Sequence, residues 1–165
     1  MNNLPLPDRR HLDAAEGWLG LGDHLAAEEE LEQITPALRT HPVVLEVRYK
    51  IYAETKRWNA AVEIARSLRE ILPDKPFSHF HLAFSLHELK RTREAYDTLR
   101  PAVGKFPQEW LMRYNLACYA CQLRKWKEAM RWLAQAIALV GKKDVCLLAL
   151  DDPDLEPLWS KISEI

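Results

Sequence analysis

Alanine recurs at positions 27, 61, 95 and 129, a constant interval of 34 residues. The same interval joins Leu31, Ala65, Leu99 and Leu133, and again Ile34, Leu68, Ala102 and Ala136. Another column, Arg39, Pro73, Pro107 and Gly141, holds helix-stopping residues at three of its four places. His24, Trp58, Thr92 and Trp126 each precede an alanine of the first column by three residues. Self-similarity at such a period means stacked supersecondary units, each too small to bury its own apolar face alone. Within a unit the apolar spacing is helical twice over. In the last unit, residues 110–123 place Leu111, Tyr114, Leu116, Ala117 and Ala120 at helical intervals, and residues 126–140 do the same with Ala129, Leu133, Ala136 and Ile137. Where two antiparallel helices cross closely, a side chain larger than alanine would force the axes apart. Pro42 and Pro76 open units, where a missing N–H costs nothing. Pro36 and Pro101 fall late in second helices and are expected to kink or end them.

These columns and the period resemble the tetratricopeptide repeat family. With Asp8, Pro42, Pro76 and Trp110 counted as first positions, the eighth positions hold Ala15, Tyr49, Ala83 and Ala117, and the eleventh hold Trp18, Tyr52, Leu86 and Ala120. The resemblance runs from residue 8 onward and implies an all-α, right-handed superhelical solenoid. Its units would be 8–41, 42–75, 76–109 and 110–143, with an N-terminal tail at 1–7 and a cap at 144–165, all in one domain. The departures are His11, Leu45, His79 and Arg113 at a usually aromatic position, and Tyr49 at a small one. Tyr49 is expected to loosen the packing of the second unit. In the cap, a further first helix starts near Val145 and is broken by Pro153. Leu155, Leu158, Trp159 and Ile162 then form a short amphipathic helix that covers the last apolar face.

The resemblance further implies that first helices line a concave groove through their second, fifth, ninth and twelfth positions. These are Arg9, Leu12, Glu16 and Leu19; Val43, Glu46, Lys50 and Ala53; Phe77, Phe80, Phe84 and His87; and Leu111, Tyr114, Cys118 and Cys121. Phe77, Phe80 and Phe84 form a second apolar stripe on a helix that already has a core face through Leu82, Ala83 and Leu86. With Leu111 and Tyr114 they would make one apolar patch suited to an amphipathic helix or extended peptide, with Glu46 and Lys50 adding polar selectivity. The competing expectation is that a neighbouring helix or the cap covers the rings. The carboxylate clamp of tetratricopeptide co-chaperones is absent, because Leu12, Glu16, Val47, Phe77 and His81 occupy its places.

Charge and composition narrow the functions. A net charge of −1 lacks the basic excess of a general nucleic-acid or anionic-membrane binder. No apolar run is long enough for a membrane span, and residues 1–8 show no secretory leader. Three cysteines then read as reduced thiols, and the expected compartment is the cytoplasm. Residues 1–41 carry −5 and residues 110–143 carry +6, opposite poles that solvated helix faces explain or that steer association.

Catalytic and metal readings find little support. Cys118 and Cys121 share a helix face near His87, but no second pair completes a tetrahedral site and no strand precedes the motif. Gly20 and Gly22 sit in a turn rather than a phosphate loop, and the acidic run at residues 28–32 is a helix face. The sequence therefore implies a non-enzymatic adaptor without a cofactor, binding a protein or peptide partner. The alternatives are a self-assembling structural protein, a chaperone for a secreted client, and a metal or redox protein using His87, Cys118 and Cys121.

Overall fold

The computed structural model describes residues 4–165; Met1–Asn3 of the expected N-terminal tail lie outside the described residues. Among the described residues all regular structure is helical. The order is α1 (Leu6–Gly20), α2 (His24–Gln33), α3 (Pro42–Glu54), α4 (Trp58–Ile71), α5 (Pro76–Glu88), α6 (Thr92–Leu99), α7 (Ala102–Lys105), α8 (Trp110–Gln122), α9 (Trp126–Val140), α10 (Lys142–Asp151) and α11 (Trp159–Ser163). Short 3-10 turns occupy Pro36–Leu38 and Pro153–Leu158. The second helices of the four hairpins begin at His24, Trp58, Thr92 and Trp126, in the register of the sequence repeat.

Each hairpin closes in the same way. Gly22, Lys56, Lys90 and Arg124, again 34 residues apart, all have positive φ, at 79°, 56°, 63° and 59°. Their N–H groups reach back three residues, to the carbonyls of Leu19, Ala53, His87 and Cys121. The next N–H groups, of Asp23, Arg57, Arg91 and Lys125, reach back five, to Trp18, Tyr52, Leu86 and Ala120. This is the Schellman stop, which satisfies carbonyls that the ending helix leaves orphaned. Arg57 also lays its guanidinium 4.5 Å from the ring centroid of Tyr52, so the second turn is closed by a side-chain contact as well.

The chain divides into two compact units, Met1–Asp74 and Lys75–Ile165. In the first, α1 to α3 pack around Leu12, Ala15, Ala27, Leu31, Ile34, Val44, Val47 and Ile51, and α4 buries Ala61, Val62, Ala65 and Leu68. α2 stops at Gln33, and the carboxylate of Asp8 accepts the Thr35 N–H at 2.6 Å just before Pro36. Tyr49 is buried, and the α3–α4 pair approaches less closely along its length than the other hairpins. A phenol where the repeat calls for a small residue explains the difference.

In the second unit α6 ends at Leu99, and Pro101 leads into α7. Ala95, Leu99 and Ala102 on this side, and Ala129, Leu133 and Ala136 on α9, are all buried. From Tyr114 to Cys121, α8 is buried on every side. Such all-round burial needs a partner on each face of the helix. α6 and α9 supply two, and the Pro153–Leu158 turn supplies a third. α10 starts at Lys142, three residues before the expected Val145, because Gly141 at φ 100° ends α9 and lets the chain re-enter a helix at once. Beyond Pro153 the expected single helix is a 3-10 turn followed by α11, with Leu155, Leu158 and Ile162 buried as one stripe.

Candidate interaction surface

Two different environments receive the second unit's expected groove residues. At the N-terminal ends of α5 and α8, Pro76, Phe77, Phe80, Glu109, Leu111 and Met112 line an open, largely apolar cleft of about 320 Å³. Phe77 and Phe80 are half-buried, and Leu111 is 36% exposed. The rings support one another: Phe80 stacks on Phe84 at 5.8 Å, and His81 lies 5.6 Å from Phe77 and 5.9 Å from Phe80. The aromatic stripe marked this cleft in the sequence. Met112 and Glu109, which complete it, carried no comparable signal.

One turn further along, the surface is occupied. His87, Tyr114, Cys118 and Cys121 are buried, and the turn Pro153–Leu158, with Asp152 as its N-cap, lies against them. Asp152 Oδ2 accepts the Tyr114 hydroxyl at 2.8 Å and the Cys118 thiol at 3.3 Å, while its Oδ1 accepts the Asp154 N–H at 2.9 Å. Gln122 Nε2 donates to the Asp154 carbonyl at 2.9 Å. His87 Nε2 lies 2.7 Å from Asp154 Oδ2. A carboxylate only accepts, so this nitrogen carries the hydrogen, and Nδ1 lies 3.0 Å from the Thr92 hydroxyl. Tyr119 packs on the same imidazole with ring centroids 4.7 Å apart. The burial and the two carboxylates act in one direction on the acids here. Burial, and then Asp152, push the Cys118 thiol well above the ordinary thiol range. Burial, and then Asp154 and Asp152, push Cys121 up to about 11. Tyr114 is likewise held protonated, by burial first. These thiols stay neutral at physiological pH and are poor nucleophiles.

Glu46 and Lys50 belong to the first unit. Glu46 lines a cleft of about 250 Å³ with Leu4, Arg9, Leu12, Asp13, Glu16 and Val43, four of which are positions the repeat register assigned to the groove. Lys50 is exposed on α3 and is not among the residues lining that cleft. Among the described residues no group of three or more His, Cys, Asp or Glu side chains is placed to hold a metal ion. No described helix is long and apolar enough to cross a membrane.

Repeated helical hairpins in a fixed register, closed by one turn geometry, define a tetratricopeptide-like helical repeat fold. Solved structures of MamA share it. The MamA 41-end structure from Desulfovibrio magneticus RS-1 matches with a TM-score of 0.77 at 14% identity, covering 98% of this chain and 96% of its own. A second MamA structure matches with a TM-score of 0.77 at 15% identity, over 95% of this chain and 88% of its own. MamA MSR-1 matches with a TM-score of 0.69 at 23% identity, over 78% and 74%. No family model matches the chain, and no curated protein does.

Proposed function

We propose that the chain is a non-enzymatic adaptor or scaffold of the tetratricopeptide family, working in the cytoplasm, whose α5–α8 cleft holds an apolar helix or peptide of a protein partner. The observation that carries this reading is the cleft lined by Phe77, Phe80, Leu111 and Met112. Phe77, Phe80 and Leu111 stand partly open there over the buried Met112. Anchors of this kind, rather than total area, dominate protein recognition. The fold shared with MamA suits such a role without specifying it. The test compares wild type with a Phe80→Glu, Leu111→Glu variant, first in capture of a partner from host lysate and then in direct titration with the purified partner. Loss of binding by at least about tenfold in a variant of unchanged helicity supports the cleft, since each anchor lost is worth roughly 1–2 kcal/mol or more. Equal binding removes it.

A second reading, self-assembly, is favoured by the exposed Leu147, Leu148 and Leu150 on α10. It requires a mass that rises with concentration and falls back to one copy on Leu147→Glu, Leu148→Glu substitution.

A further inference from the structure

Residues 152–158 are held in the manner of a bound peptide. The segment is gripped by individual polar side chains at successive positions. A phenol and a thiol hold Asp152, an imidazole holds Asp154, and an amide holds the Asp154 backbone carbonyl. Leu155 and Leu158 supply two buried apolar anchors. The segment has little structure of its own: Pro153 and Pro157 remove two backbone donors, and its 3-10 turn lacks the propagating bonds of an α-helix.

We propose that the face formed by His87, Tyr114, Cys118 and Gln122 is a recognition site for an acidic Asp-Pro-Asp-Leu segment of a partner protein, and that the chain's own residues 152–158 occupy it in cis until that partner displaces them. This rests on the reading of the chain as a segment-binding module and names the chemistry of one segment it takes. Internal occupancy lowers apparent affinity in proportion to the fraction of closed chains, so partners with a closer fit or several contacts are selected. Displacement also uncovers Cys118 and Cys121, which are sealed while the segment is seated.

The test uses the full chain in a Cys146→Ser background, with and without Asp152→Ala and Asp154→Ala. The probe is a labelled peptide of residues 150–159, alongside the same peptide with both aspartates replaced by alanine. The opened chain is expected to bind the native peptide about tenfold or more tighter than the parent does, because the cis competitor is weakened. It should ignore the altered peptide, and bound native peptide should slow maleimide labelling of Cys118 and Cys121. Labelling that becomes fast in the opened chain with no peptide binding overturns the proposal and leaves a structural cap. Equal binding of both peptides also overturns it, because the carboxylates would then carry no recognition. A parent chain with the mass of two copies and protected thiols makes the occupant a second copy's segment, which overturns the partner reading. If the double variant does not fold, Gln122→Ala serves instead: Gln122 is exposed, so folding survives, and faster thiol labelling at unchanged helicity is expected, with unchanged labelling counting against the proposal. Phe80→Glu, Leu111→Glu separates the two readings. Peptide binding that fails while cleft-dependent capture persists sinks this inference alone, and the converse sinks only the cleft.

Discussion

His87 and Asp154 lie 67 residues apart in the chain and 2.7 Å apart in space, joined through the imidazole Nε2 and a carboxylate oxygen. The other ring nitrogen is engaged by Thr92, so both polar atoms of a side chain that is only 6% exposed are satisfied. His87→Ala removes both bonds and leaves a space against Tyr119. A hydrogen bond to a charged group contributes roughly 1.5–3 kcal/mol, so a loss of about 2–3 kcal/mol is expected in chemical denaturation. A cost below about 0.5 kcal/mol, the level of an ordinary surface change, would mean the contact contributes nothing to holding the segment.

The hairpin corners predict a gain instead. Lys56, Lys90 and Arg124 adopt a left-handed backbone that costs an ordinary residue about 1 kcal/mol and glycine almost nothing. Glycine gives back part of that advantage through its greater freedom when unfolded. Lys90→Gly is therefore expected to raise stability by about 0.5 kcal/mol, with Lys56→Gly and Arg124→Gly similar. A fall in the urea midpoint at all three would refute the account.

The alanine column predicts a loss that grows with side-chain size. Ala129 is fully buried where α8 and α9 cross, and leucine there must push the two axes apart. Overpacking of this kind costs about 1–3 kcal/mol, and Ala129→Gly should cost roughly 1 kcal/mol for a different reason, the flexibility of glycine within a helix. Thermal melts of both variants distinguish the two.

Asp8 sets a pH dependence in the first unit. Its carboxylate accepts the Thr35 N–H, which holds it below the ordinary value of 3.8. Because the folded value is the lower one, the stabilisation is complete above the ordinary range and is lost as pH falls through the folded value. Wild type should exceed Asp8→Asn in urea midpoint at pH 7, and the gap should close progressively below about pH 4. A gap that widens in acid would reverse the assigned sign.

The sequence shows the repeat because close helix crossings tolerate only small residues, and that constraint writes Ala27, Ala61, Ala95 and Ala129 into it. The cleft could be anticipated for a related reason. Phe77 and Phe80 sit on a face their helix does not need for its own core. The corners could not, since only Gly22 betrays a left-handed residue and Lys56, Lys90 and Arg124 look like ordinary surface. Nor could the covering of His87, Tyr114 and Cys118, because their partners Asp152 and Asp154 come from residues 34 to 67 positions away and leave no local pattern.

Those four corners carry a further consequence. Their shape is written in backbone hydrogen bonds, with Lys56, Lys90 and Arg124 projecting from it without being required by it. A lineage could therefore recolour these edges with new charges, or with none, while every hairpin kept its angle. Surface identity and scaffold geometry are separately inheritable at these points, and such a chain can acquire new neighbours without relearning how to fold.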